Sequence, residues 1–308
     1  MNYKSTLYKA LVLVVVVGPL LATGYAISLL WQRAVHPGDL VLLLSMYAIT
    51  GMGITIGFHR MLTHRSFRPH PIIKFLLLVF GSMALEGPAL QWAATHTKHH
   101  AQSDREGDPH SPMEGFFHAH IGWMFKDREA DPAVYARHLA NDRMVVFVSN
   151  TFFVWVGLSL LIPFLLGGWS GLLWGGLVRI CLTHHVTWSV NSVCHTFGKR
   201  EFETNDQSHN EWIVGLLAFG EGWHNNHHAF PRSAFHGLHW WQVDLSSYII
   251  WTLERTGLVK DVYRVTPALM AQRSARRVKA DNYPQAAENT PSIALEVEER
   301  EAALQAID

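Results

Sequence analysis

Four stretches of the chain run apolar for long enough to cross a bilayer, separated by segments rich in polar and ring-bearing residues. Residues 8–31 (YKALVLVVVVGPLLATGYAISLLW) carry one lysine at the start and then stay apolar for about the 20 residues a helical crossing needs. Residues 39–58 are equally clean after Asp39, and two more runs lie at 144–166 and 171–190, the last carrying Arg179, His184 and His185. A shorter run, 72–85, is interrupted by Lys74 and followed by Glu86, Gly87 and Pro88, which predicts a buried or interfacial helix. The pattern predicts an all-α integral membrane protein with four transmembrane helices. A secretory signal peptide is the competing account of the first run, because Lys4 and Lys9 precede it. The run exceeds a typical signal core and no small-residue cleavage site stands out, so it is read as an uncleaved anchor.

Composition agrees with a membrane protein: 49% hydrophobic residues, only 16% charged, and 12 Trp. A formal net charge of zero gives no electrostatic footprint for nucleic acid, and that class of partner is dropped. Cys181 and Cys194 are too far apart for a CxxC motif and are expected to pack as small apolar groups. Residues 1–262 are read as one membrane domain and 263–308 as a polar tail, basic at 272–279 and acidic at 292–305. A solvated tail is the expected role, with docking of a redox partner the minor alternative.

The candidate chemistry lies in the histidines. Of 20, nine fall into compact groups: His59 and His64 in HRMLTH, His96, His99 and His100 in HTKHH, His195 in NSVCH, and His224, His227 and His228 in HNNHH. His96, His99 and His100 stand at i, i+3 and i+4, on one face of a helix. Asn191 and His195 are also one turn apart. The step of five from His59 to His64 does not keep a helical face, so a helix end or bend is expected between them. With Lys4 and Lys9 cytoplasmic, four crossings put all nine histidines and both termini on the cytoplasmic side. The cap is then 59–143 and 191–262.

Imidazole suits zinc, copper, iron and nickel. A zinc hydrolase uses about three protein ligands, so nine histidines argue for two metals with four or five ligands each. A site at a membrane face has aliphatic C–H bonds as its natural substrate, and breaking these takes activated oxygen, which favours iron. A histidine-rich membrane hydroxylase remains the nearest alternative. A metal transporter is more distant, because its crossings should carry buried polar residues.

HRMLTHRSF, HTKHH, GDPHSP, HIGW, NSVCH and GEGWHNNHH, in this order among four crossings, resemble the membrane fatty-acid desaturases of the delta-9, stearoyl-CoA desaturase-like type. The resemblance covers roughly 38–245. It implies a di-iron site, with one iron held by His59, His64, His96, His100 and His227. The other is implied to be held by His99, His195, His224 and His228, with Asn191 ordering a water. It further implies O2-dependent removal of two vicinal hydrogens from a saturated acyl chain, with O2 reduced to water. Two electrons come from a separate donor such as a ferredoxin, cytochrome b5 or flavin reductase, since no haem or flavin motif is found in the sequence. A bacterial inner membrane is favoured over the endoplasmic reticulum.

Trp92, Thr187 and Trp188 are candidates to line the acyl channel. His110 and His120 match family positions and are expected to orient ligands rather than bind metal. His184 and His185 are expected to face the protein interior, and His36, His70, His118, His138, His209, His236 and His239 to be surface or packing residues. The acyl-CoA enzymes carry an Arg-Asp pair before the HxxHH box, where this chain has Ala94 and Thr95. Lys98, Lys126 and Arg128 remain to meet a phosphate. The balance is set slightly toward acyl-CoA, with phospholipid-bound acyl chains the alternative.

Overall fold

The computed structural model describes residues 6–32, 34–126 and 130–282. They divide at Thr266 and Pro267 into two units. In chain order the helices of the first unit are α1 (Thr6–Trp31), α2 (Pro37–Met52), α3 (Pro71–Ser82), α4 (Ala89–Gln102), α5 (Phe116–His120), α6 (Pro132–Tyr135), α7 (Arg143–Asn150), α8 (Phe152–Gly171), α9 (Arg179–Ser192), α10 (Trp212–Leu217), α11 (His224–Ala229) and α12 (Leu245–Arg255). Two-residue strands, β1 (Arg68–Pro69) and β2 (Val259–Lys260), pair antiparallel with Arg68 opposite Lys260. The second unit contributes α13 (Pro267–Asn282); the acidic stretch 292–305 lies outside the described residues.

Among the described residues three helical stretches are long and apolar enough to cross a membrane: Thr6–Trp31, Pro37–Thr63 and Phe152–Ser192. Along α1 only Pro19 and Ala26 are buried, and Trp31 is 91% exposed. Such a surface suits lipid, not water. The third stretch is 41 residues long where the sequence predicts two helices. It reverses at Gly167 and Gly168, the latter at φ 59° and ψ −146°, a conformation that a residue without Cβ adopts at little cost. Past the reversal a Cβ on Gly171 would lie 2.1 Å from the Pro163 carbonyl oxygen, and one on Gly176 3.3 Å from Leu160. Arg179 Nη2 donates to Ser159 O at 3.2 Å. The two arms therefore run antiparallel. The predicted start at 144 falls instead in α7, a separate helix whose Val145 and Val148 enter the core.

The predicted crossing 39–58 does not stop at Phe58. Asp39, in the first turn of α2, accepts the His36 backbone N–H at 3.0 Å; beyond Met52 the helix continues as a π-helix from Gly53 to Thr63. The His64 N–H donates to the His59 carbonyl at 3.0 Å, five residues back. The wider turn does what a helix end or bend was expected to do, and it keeps HRMLTH in continuous helix. Close packing fixes its place: a Cβ at Gly53 would sit 2.2 Å from Gly81 N, and one at Gly57 2.8 Å from Leu77 O. Two glycines one turn apart let this segment touch the α3 backbone. Around that contact Ile54, Phe58, Leu77, Leu78, Ala93 and Val145 form part of the main core.

Arg60 lies beside His59 and is fully buried. Its Nε and Nη2 reach Glu221 Oε1 at 3.1 and 3.0 Å, and its Nη1 reaches Asp244 Oδ2 at 3.0 Å and Ala234 O at 2.8 Å. The guanidinium thereby ties the second helical stretch to the loop before α11. Gly220 in that loop has φ +115°, and a Cβ there would fall 2.1 Å from Asp244 Oδ1. Only glycine fits.

Candidate metal centre

Four segments bring the nine box histidines together. The π-helical segment carries His59 and ends at His64, α4 carries His96, His99 and His100, the chain just past α9 carries His195, and α11 carries His224, His227 and His228. They sort into two groups: His59, His64, His96, His100 and His227, and His99, His195, His224 and His228. Within each, one ligand atom per residue lies within 4.8 Å of all the others. The two HxxHH helices contribute in mirrored fashion. On α4 the i, i+4 pair faces the first group and His99 the second; on α11 the i, i+4 pair faces the second group and His227 the first.

The Nε2 atoms point inward. His59 and His227, His64 and His96, and His96 and His100 approach at 3.0 Å, and His100 and His227 at 2.9 Å. In the second group His195 and His224 approach at 2.9 Å, while the buried Nε2 atoms of His99 and His228 have no hydrogen-bond partner. Two nitrogens bound to one ion at about 2.1 Å stand about 3.0 Å apart at a right angle and about 3.4 Å apart at the tetrahedral angle. The observed closest approaches are on this scale, so each group is compact enough to hold one ion of the metals that imidazole suits, iron and zinc among them.

Carboxylates set the orientation of several rings. Asp108 Oδ1 takes His99 Nδ1 at 3.0 Å, Asp104 Oδ2 takes His195 Nδ1 at 2.9 Å, and Asp206 Oδ2 takes His228 Nδ1 at 2.8 Å. Each bond fixes the proton on Nδ1 and leaves an Nε2 lone pair to ligate. His59 Nδ1 lies 2.6 Å from Glu221 Oε2, within ion-pair range but off the hydrogen-bond axis. Asp104 adopts φ +60°, a conformation that Asp tolerates, while its N–H donates to Asp108 Oδ2 at 2.9 Å.

Burial, and then the neighbouring imidazoles, hold His64, His96, His100, His224 and His227 well below the ordinary imidazole range. Burial brings His228 down to about 4 against the pull of Asp206. Burial alone would raise Asp108, yet His99 holds it below the usual carboxylate range. Neutral imidazoles beside ionised carboxylates are the ligating forms.

Asn191 is half-buried on α9, one turn before His195. Trp92 stacks on His96, ring centroids 5.1 Å apart, and donates Nε1–H to Glu86 Oε2 at 3.1 Å. Burial pushes Glu86 up to about 7, opposed by polar contact with Thr187 on α9 and with Trp92. Trp188 is buried between His184 and His185. Lys98 is half-buried on α4, and Lys126 pairs with Glu114 at 2.6 Å. Arg128 lies outside the described residues. His110 belongs to neither group; its ring packs 4.3 Å from that of His99, beside Asp108. His120 bonds Ser192 Oγ at 2.9 Å and His185 at 3.1 Å, apart from both groups.

The expectation for His236 as a surface or packing residue is too weak. It is buried, its Nδ1 is 3.2 Å from Glu221 Oε2, and its ring is 4.5 Å from that of His227. His118 is likewise buried, 3.9 Å from Glu114. Sequence reasoning missed Glu86, Asp104, Asp108, Asp206 and Glu221. Asp104, Asp108 and Glu221 lie inside or just beside quoted motifs, and asking what accepts each Nδ1 proton would have singled them out; Asp206 carries no local signal.

The profile of the fatty acid desaturase family matches residues 37–257. The hex-5-enoyl-[acyl-carrier protein] acetylenase of Moorena producens (strain JHB) is 40% identical over 79% of this chain and 83% of its own. The sn-1 stearoyl-lipid 9-desaturase of Anabaena variabilis is 44% identical over 71% and 82%, and the acyl-CoA C20 Delta5-desaturase of Anemone leveillei 43% identical over 71% and 72%. With the histidine boxes inside the matched span, this chain belongs to the fatty acid desaturase family.

Proposed function

We propose that the protein is a di-iron acyl-lipid desaturase that introduces a delta-9 double bond into a saturated acyl chain. The convergence of nine imidazoles in two compact groups carries this reading. Iron bound there supplies the oxygen activation that aliphatic C–H cleavage requires. The chain's own residues hold and orient: His59, His64, His96, His100 and His227 take one ion, and His99, His195, His224 and His228 the other, with Asn191 ordering a water. Asp104, Asp108 and Asp206 fix three of the rings. Trp92, bonded to Glu86, lines the acyl channel beside the first group together with Thr187 and Trp188 on α9.

Two observations move the head-group preference from CoA toward lipid. Ala94 is fully buried, so its position offers nothing to a nucleotide, and Glu114 already pairs with Lys126. The relatives divide between the two, with lipid desaturases of Synechocystis and Arabidopsis thaliana beside acyl-CoA desaturases of Anemone leveillei at like identity, so the choice rests on the site residues. The experiment supplies iron-loaded, full-length enzyme and a competent electron donor with labelled stearoyl phospholipid or stearoyl-CoA, and analyses products by gas chromatography and mass spectrometry. Oleoyl product from lipid is expected. Conversion of stearoyl-CoA alone refutes the lipid assignment, and hydroxylated product refutes desaturation.

The reversal at Gly167–Gly168 supports four crossings, with both histidine groups facing the cytoplasm and a separate electron donor reaching them there. A cysteine placed at exposed Arg105 should react with cytoplasmic reagents and one at exposed Trp169 with external ones. Labelling of both from one side defeats this topology.

A further inference from the structure

The metal ligands come to the surface beside uncompensated positive charge. His64, His100 and His228, together with Thr63, Thr97, Pro231 and Asp206, line a half-open pocket of about 250 Å³, with the Asp206 carboxylate already bonded to His228. A larger cleft of about 430 Å³ is lined by the next residue of each segment, Arg65 after His64 and Arg232 after Pro231. Two other cations of that cleft are matched: Arg68 pairs with Asp261 at 3.0 Å, and Lys74 pairs with Asp142. Arg65 and Arg232 are exposed and have no carboxylate partner among the described residues; Arg232 lies over the Tyr263 ring at 5.2 Å. Imidazoles of the metal groups thus line a surface pocket, and the residues next to His64 and Pro231 in sequence are exposed arginines without a described carboxylate partner.

We propose that this double mouth is the docking face for a small one-electron carrier protein with an acidic surface around its redox centre. The proposal rests on the desaturase reading, whose chemistry has to be fed: for each double bond, one O2 takes two hydrogens from the acyl chain, two electrons from the carrier and two protons from solvent, leaving two waters. The carrier delivers those electrons one at a time, so it must bind and leave repeatedly. Electrostatic steering suits that demand, because it raises the association rate without a large buried interface. Encounters of this kind are small and salt-sensitive. Arg65 and Arg232 supply the steering field, and the His64 and His100 rings lie at the point of closest approach.

The test uses full-length, iron-loaded enzyme in uncharged phosphatidylcholine nanodiscs, oxidised and anaerobic. Its reduction by a plant-type [2Fe–2S] ferredoxin is followed spectroscopically at low and high salt, beside reduction by dithionite. In the R65E/R232E double variant the ferredoxin rate at low salt should fall at least tenfold and lose its salt dependence, while the dithionite rate holds. Arg255→Glu, on α12, should change neither. An unchanged ferredoxin rate and salt slope in the double variant overturns the proposal, as does failure of ferredoxin to reduce the parent enzyme at low salt. If the reversal also slows dithionite, the milder R65Q/R232Q pair decides by the same two readouts. Dithionite-driven single turnover of stearoyl phospholipid tests the desaturase reading separately, because it needs no docking face.

Discussion

The two histidine groups are built to different electrostatic plans. The first gathers five imidazoles, of which only His59 meets a carboxylate, Glu221, whose charge is already matched by Arg60. The second gathers four imidazoles, three of them hydrogen-bonded to aspartates. Carboxylates behind the ligands raise their basicity and lock their rings. The second group should therefore hold its metal more tightly. The first, which contributes His64 and His100 to the surface pocket against His228 alone from the second, should exchange metal more readily. One fold can in this way give two sites of the same ligand type unequal affinities.

The strongest way to break this comparison is to remove one ligand from each group. His96→Ala and His195→Ala should each abolish desaturation and lower the metal content from about two ions per chain toward one. Loss of both ions from either variant, seen by elemental analysis, would mean that the groups are a single cooperative site. A sharper test exchanges charge for shape. Asp206→Asn and Asp108→Asn should weaken metal retention against a chelator by about 10- to 100-fold, with the iron of the second group released first by Mössbauer spectroscopy. Release from the first group at the same rate contradicts the unequal plan.

Glu221→Gln should act differently, because it leaves Arg60 with only Asp244 as an anionic partner. Breaking a buried pair of this sort costs about 3–5 kcal/mol, so the variant should lose thermal stability before it loses metal affinity. A melting temperature equal to the parent's removes Arg60 from the account.

Acidification should act more gently and on both groups. His228 and His236 have folded values of about 4, below the unfolded imidazole value of about 6.5. Between these limits the unfolded chain binds more protons than the folded one, so stability rises with pH across this window and falls as pH drops below about 6.5. Metal retention should follow the same sense, since protonated imidazole does not ligate. Melting curves and bound metal measured from pH 7.5 to 5 check it; a flat response contradicts neutral burial. The smallest effect is expected at His239, which is half-exposed and bonded to Glu201. His239→Ala should keep activity within roughly twofold, as surface changes of about 0.5 kcal/mol do.

What the sequence revealed divides along physical lines. Apolar runs and short spacings are local, so the helical hairpin about Gly167, the α3 helix and the single face of His96, His99 and His100 could all be read directly. The continuation of α2 through His59 could not, because π-winding is set by the close glycine contacts with α3 at Gly81 and Leu77. The aspartates escaped for a related reason. Asp206 meets His228 across 22 positions and Asp104 meets His195 across 91, and no spacing rule joins them. His236 looked like one more polar loop residue until the fold placed it against Glu221 and His227.

The contact between His59 and His227 spans 168 positions, and it sets an order of events during synthesis. A nascent chain that has emerged only as far as α7 already owns four of the five imidazoles of the first group but only His99 of the second. Neither group is complete until α11 has been made, so a chain truncated before His224 can hold no more than four imidazoles of the first group and His99 and His195 of the second.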